Sequence, residues 1–316
     1  MPQLSLETMQ RFLGRSISSM NQNKLNGLLA EIELRNYLIE LGFQGRVSPG
    51  GWIARRTGAD VFGHDTVVIF PEVIAPDKAY DLNRPMPQPG HGLHTICATF
   101  HQTGINAYFC SPSVPIDQNA DSIQWRAVQL GLPVEQRVQP FPDCLVNFFR
   151  PRDRKHNFLR YKTETATIPQ LAVPEEFSKE HLRISFQNRF MAEVSDVDGI
   201  FWGQQFTYPL EIKEKTAAED RVLGHFFGLD VGPFVKLAFY AAKRGNLHSL
   251  FIVREIDSKE HRGLVNWWFI TYDQLAQFAS WVPQAGGTNM QGGGSSVVKI
   301  PRAEFQPLNK ATLAEL

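Results

Sequence analysis

Val194-Ser195-Asp196-Val197-Asp198-Gly199-Ile200, followed after a short turn by Leu210-Glu211-Ile212-Lys213, is the stretch on which the fold is read. Phe190 to Trp202 reads as one strand, Gly203-Gln204-Gln205 as a turn, and Phe206 to Lys213 as a second strand. Side chains alternate along a strand. Glu211 and Lys213 therefore share one face while Leu210 and Ile212 take the core, and Asp196 and Asp198 likewise share a face. A hairpin of this kind brings Asp198 alongside Glu211, so two carboxylates and one ammonium gather near a strand end.

Downstream, a helix is expected from about Gly232, with Pro233 suited to its first turn and Gly245 to its end. Leu250-Phe251-Ile252-Val253 and Trp267-Trp268-Phe269-Ile270 read as strands, and Asp273 to Trp281 as a closing helix. The glycine-rich segment from Gly286 onward reads as loop and tail. Upstream, Asn23 to Leu41 reads as a helix stopped by Gly42, with Leu25, Leu28, Ile32, Leu34, Leu38 and Leu41 on a broad apolar face. Glu31 points into that face. A buried carboxylate needs a partner, and either Arg35, one turn on, or a functional site can supply it. Val67 to Phe70 is β-like, Ser122 to Leu130 is expected to be helical, and Pro169 to Pro174 resembles a boundary. The pattern is that of an α/β sandwich.

Composition bounds the rest. The 316 residues are 43% apolar and 11% aromatic, enough for a large core. No run of about 18 apolar residues occurs, so no membrane span is expected. Met1 to Gly14 lacks a basic start followed by an apolar stretch, so no secretory leader is expected either. Cys97, Cys110 and Cys144 are odd in number and form no CxxC pair, which fits free thiols in the cytoplasm. Thirty-two basic residues balance thirty-two acidic ones, so the whole chain carries no nucleic-acid bias. Locally it does. Arg150, Arg152, Arg154, Lys155, His156, Arg160 and Lys162 crowd one stretch whose single acid is Asp153, either a solvated face or a set of phosphate contacts.

The chemistry suited to the hairpin is phosphodiester hydrolysis. Two carboxylates offer oxygen ligands for Mg²⁺, whose charge assists attack on phosphorus. Lys213 can orient the attacking water or offset the developing charge. A Glu-x-Lys triplet arises by chance about once in a chain of this length, so the weight falls on its setting. The bland alternative is that these residues line a solvated strand face and that the aspartates belong to a turn.

Asp198-Gly199-Ile200 with Leu210-Glu211-Ile212-Lys213 resembles the motif of the PD-(D/E)xK nuclease superfamily, which includes restriction endonucleases, resolvases and phage-defence nucleases. The motif spans Val194 to Lys215, and the order of strands and helices carries the likeness to about Trp281. The resemblance implies a restriction-endonuclease-like mixed sheet flanked by helices. It makes Asp198 and Glu211 the metal ligands, Lys213 the catalytic ammonium, and Mg²⁺ the cofactor. An upstream helix in the family often adds an acid, and Glu31 in Gly27-Leu28-Leu29-Ala30-Glu31 is similar to that element. Glu193 is the other candidate for that place, and Asp196 can stand in for Asp198.

The implied organisation is an N-terminal helix and inserted or recognition region over 1–168, a nuclease core over 169–285, and a tail over 286–316. The implied function is Mg²⁺-dependent endonucleolytic cleavage of double-stranded DNA, in restriction or anti-phage defence. A homodimer fits, since cutting a duplex takes two scissions. The rivals are a structure-specific repair nuclease, an RNA nuclease, a non-catalytic nucleic-acid-binding protein, and a purely structural or protein-binding domain. Gly58-Ala59-Asp60 with Pro71-Glu72-Val73-Ile74 also resembles the family pattern, but Ile74 stands where the lysine belongs. Catalysis is therefore not assigned to Asp60 or Glu72.

Overall fold

The computed structural model describes residues 4–18, 20, 22–48, 50–55, 66–78, 80, 83–113, 119–130, 137–141, 143–145, 150–151, 168–187, 190–191, 193–242, 246–285 and 296–316. Among these residues the protein is mixed α/β, with seven α-helices and mixed sheets. The chain forms two compact units, Met1–Leu29 with Pro49–Val197 and Ala30–Ser48 with Asp198–Leu316. None of the described helices is long and apolar enough to cross a membrane.

In chain order the elements begin with helices α1 (Leu6–Ser18) and α2 (Gln22–Glu40), then strands β1 (Val47–Ser48), β2 (Gly51–Arg55) and β3 (Thr66–Pro71). Helix α3 (His91–Gln102) precedes strands β4 (Asn106–Ser113), β5 (Gln124–Leu130), β6 (Gln139–Phe141) and β7 (Arg150–Pro151). Helix α4 (Val173–Gln187) precedes β8 (Phe190–Met191), β9 (Glu193–Val197), β10 (Gly199–Trp202), β11 (Thr207–Lys215), β12 (Ala218–Asp220) and β13 (Gly224–Asp230). Helix α5 (Val231–Ala241), β14 (Leu250–Ile256), β15 (Leu264–Thr271), α6 (Tyr272–Phe278), β16 (Gln284–Ala285), β17 (Ser296–Pro301), β18 (Gln306–Pro307) and α7 (Lys310–Ala314) complete the chain.

The first unit is built on a sheet ordered β6-β5-β4-β3-β2-β9. Strands β3 and β4 are parallel, and such a pair needs a crossover, which α3 supplies. Val67, Val68, Ile69 and Phe70 on β3 are all fully buried, as expected for a strand covered on both faces. Helix α4 is buried nearly all round, so its polar groups need partners within the unit. Glu180 accepts from Ser16 Oγ at 2.6 Å, and Ser178 Oγ accepts from the Ile74 backbone N–H at 2.8 Å.

In the second unit a sheet ordered β1-β10-β11-β14-β15-β18 runs between two cores. The period-two alternation of strands makes this possible. On β14, Leu250 and Ile252 enter one core with Ala30, Leu34 and Leu38 of α2. Phe251 and Val253 enter the other with Leu237 of α5 and Leu275 of α6. That second core is closed by a sheet ordered β12-β13-β17-β16, which contributes Phe227, Leu229, Val298 and Ile300. Helix α2 ends as its sequence requires. Gly42 takes φ +92°, a backbone conformation that glycine adopts without a Cβ penalty. Phe43 N–H reaches Leu38 O and Gly42 N–H reaches Ile39 O, both at 2.9 Å, closing a Schellman turn.

Three elements differ from the sequence expectation. Phe190 to Trp202 is not one strand. Glu193–Val197 pairs with β2, Gly199–Trp202 pairs with β11, and Asp198 stands in the break between them. Asp196 and Asp198 therefore do not share a face of one strand. The expected helix at Ser122–Leu130 is strand β5, because Gln124 to Leu130 finds ladder partners in β4 and, at one end, β6. Trp125 and Ala127 are buried while Gln124 is exposed, a period-two pattern that the helical reading missed. Finally, the expected C-terminal loop holds strand β17, paired with β13, and helix α7, whose capping residue Asn309 accepts from Ala311 and Thr312 N–H. Residues 286–295, which carry the glycine runs, lie outside the described residues. Pro174 lies in the first turn of α4, inside the first unit.

Candidate metal centre

The β10–β11 hairpin sets the geometry. Its register pairs Gly199 with Leu210 and Trp202 with Thr207. Asp198 immediately precedes Gly199 and Glu211 immediately follows Leu210, so the two acids flank the same rung of the ladder. Gly203 at the turn is required by close approach. A Cβ there would lie 2.3 Å from Leu316 O and 2.7 Å from Tyr208 Cε2. Asp198 is buried, and its Oδ2 accepts the Ile212 backbone N–H at 2.7 Å. That bond fixes one oxygen toward β11.

Glu31 comes to the same place from α2. It is 9% exposed, in keeping with its position on the apolar face of that helix. A Glu31 carboxylate oxygen and one of Asp198 lie within 4.8 Å of each other. Helix α2 is held on the sheet by Ala30, Leu34 and Leu38 and by an ion pair. Arg254 of β14 donates to Glu33 at 2.7 and 3.1 Å and to Glu214 at 3.2 Å.

Glu211 is the most deeply buried acid of the group, at 1% exposure. It lies in register with Phe251, on the opposite sheet face from Leu210 and Ile212. A carboxylate there stays charged only with cations beside it. It has two. Lys213 Nζ lies 2.6 Å from Oε1, and Lys236 Nζ of α5 is paired with Oε2. Farther along the strand, Lys215 has its pKa pushed down by burial, with Asp230 raising it and Lys213 and Lys259 lowering it further.

Among the residues just described, Glu31 and Asp198 offer neighbouring oxygens, and Glu211 offers a third carboxylate held by two ammoniums. Hard oxygen donors of this kind suit Mg²⁺ or Mn²⁺, not a soft thiophilic ion. Glu31 and Asp198, with carboxylate oxygens within 4.8 Å of each other, are the residues that would hold such a cation.

No protein-family model, no curated protein and no solved structure matches this chain. The geometry above therefore carries the functional reading by itself.

Asp196 and Glu193 are on β9, in the other unit. Of the basic stretch, Arg150 contributes backbone to β7, while Arg152, Arg154, Lys155, Arg160 and Lys162 lie outside the described residues, as does Asp60. Glu72 belongs to a polar cluster of the first unit, accepting from Arg84 at 2.5 Å and Ser111 Oγ at 2.7 Å. The three cysteines are free thiols, Cys97 and Cys110 buried and Cys144 half-buried with its pKa pushed up to about 12 by burial. Lys236 was missed by the sequence reading. Its signal was present: it is the one charged residue in the helix Val231–Ala241, and a lone charge among apolar neighbours requires a partner.

Proposed function

We propose that the protein is a metal-dependent nuclease of restriction-endonuclease-like organisation, hydrolysing DNA phosphodiesters with Asp198, Glu211, Lys213 and Glu31. The observation that carries this reading is the buried Glu211–Lys213 pair on the strand next to Asp198, with Glu31 brought in by a separate helix. Each added carboxylate repels the others, so acids brought together favour a bound cation.

Asp198, Glu211 and Glu31 would hold Mg²⁺. Bound there, the ion would supply Lewis-acid charge to a phosphodiester oxygen and activate water. The chain does the rest. Lys213, half-exposed and anchored through Glu211, can turn its ammonium to the attacking water or to the phosphate charge that develops. Asp198, fixed by the Ile212 N–H, holds its second oxygen in a set direction without rotamer loss on binding. The buried setting of Glu211 strengthens its attraction to cations relative to water. Contacts to backbone phosphates are assigned to the stretch Arg150, Arg152, Arg154, Lys155, Arg160 and Lys162. Restriction or anti-phage defence is the proposed setting, with target selection assigned to the first unit.

The test is cleavage of plasmid DNA with Mg²⁺, with Mg²⁺ plus EDTA, and with Glu211→Ala, Lys213→Ala and Glu31→Gln proteins. We expect metal-dependent cutting that EDTA stops. Glu211→Ala and Lys213→Ala should each lower the rate by about 10²- to 10³-fold. Wild-type protein that spares plasmid, single-stranded and branched DNA, and RNA refutes the catalytic reading and leaves binding as the activity.

A further inference from the structure

Catalysis as proposed uses one ammonium, yet among the described residues two are paired with the Glu211 carboxylate. Lys213 takes Oε1 and Lys236 takes Oε2. They come from different elements, β11 and α5, so the second is not a by-product of strand alternation. Lys236 sits in the apolar helix Val231–Ala241, flanked by Leu237, which is in the core, and only 14% of its side chain is exposed. Removing an ammonium from water into such a place is costly. A neutral residue at 236 would pack more easily if the helix only needed to cover the sheet.

Charge explains what the second ammonium does. Glu31, Asp198 and Glu211 carry three negative charges, and Lys213 and Lys236 carry two positive ones. These five side chains together carry one negative charge in excess. A divalent cation takes them past neutrality, and a phosphodiester then restores the balance. Without Lys236 the group would carry two negative charges and would be neutralised by the cation alone.

We propose that Lys236 is a second working ammonium of this site: it occupies Glu211 in the metal-free protein, opposes divalent-cation binding until a phosphodiester arrives, and then shares the phosphate charge with Lys213. This rests on the nuclease reading. It adds that metal and nucleic acid bind together, with Lys236 as the residue that couples them.

The experiment measures Mn²⁺ binding to the full chain by calorimetry without nucleic acid, and Mg²⁺-dependent plasmid cleavage, for wild type, Lys236→Met and Lys236→Gln. Lys236→Gln keeps a hydrogen-bond donor for Glu211 and removes only the charge, so it serves where Lys236→Met does not fold. Both variants are expected to bind Mn²⁺ about tenfold more tightly than wild type, since a like charge beside the ion is gone. They should cleave about 10²-fold more slowly. These opposite movements separate the proposal from a structural role, which would weaken metal binding and activity together. A folded variant that binds Mn²⁺ no more tightly than wild type, or cuts as fast, overturns the role of Lys236 while leaving the nuclease reading intact. Wild-type protein that neither binds Mn²⁺ nor cleaves defeats the nuclease reading itself, and this proposal with it.

Discussion

His181 offers a stability test of the first unit whose size follows from the structure. Its ring is buried on α4 between Phe12 and Phe177, with centroids 5.2 and 5.5 Å away. Trp125 Nε1–H donates to Nδ1 at 3.0 Å, so Nδ1 carries no proton and Nε2 donates to Ala120 O at 2.7 Å. A second proton has no acceptor to meet. Burial accordingly lowers the pKa to about 4, against smaller raising contributions from the Ala120 carbonyl, Asp121 and Glu180. The unfolded chain titrates this group near 6.5. Above that value both states are neutral and the residue adds no pH dependence. As the pH falls from about 6.5 to 4 the unfolded state takes the proton first, and stability drops by about 1.4 kcal/mol per unit. The loss reaches about 2.5 kcal/mol at pH 4.5 and about 3 kcal/mol below pH 4.

The perturbation is His181→Gln, which retains a donor and an acceptor but does not titrate. Urea unfolding of both proteins at pH 7 and pH 4.5 isolates the effect, because the carboxylates contribute equally to each. The stability gap between wild type and variant should shrink by about 2.5 kcal/mol on acidification. Parallel pH profiles would show that the buried imidazole does not behave as its neighbours demand.

Two further outcomes follow from packing and charge in the second unit. Gly203→Ala places a Cβ 2.3 Å from Leu316 O and 2.8 Å from Phe206 O, both backbone atoms that yield poorly. It should cost about 1–3 kcal/mol, and thermal melts that match wild type would refute the close approach. Arg254→Met removes the pairs to Glu33 and Glu214, although Glu214 keeps Arg262 at 2.8 and 2.9 Å. The loss should be about 2–3 kcal/mol, less than for a fully stranded buried charge. Urea titrations check it, and an unchanged midpoint would mean that Arg254 does not anchor α2.

Some of this protein was legible from local pattern. Leu210-Glu211-Ile212-Lys213 alternates as a strand must, and Glu211 and Lys213 meet at 2.6 Å on one face of β11. The periodic leucines of α2 and the stop at Gly42 likewise need only nearest neighbours along the chain, and the helix ends where they say. The position of Glu31 on the apolar face was also readable.

Other features had no local signature. That Glu31 approaches Asp198 depends on how α2 packs on the sheet, through Ala30, Leu34 and Leu38. The break at Asp198 arises because β9 and β10 pair with different strands, which no period in Phe190–Trp202 records. Gln124 to Leu130 became a strand because β4 and β6 were there to pair with it. Lys236 reaches Glu211 only because α5 crosses back over the sheet between the parallel strands β11 and β14. Amino-acid order alone determined which side chains share a face, since that depends on backbone periods of 2 and 3.6 residues. Only the tertiary structure decided which faces meet, because burial and charge pairing act between segments that are distant in the chain.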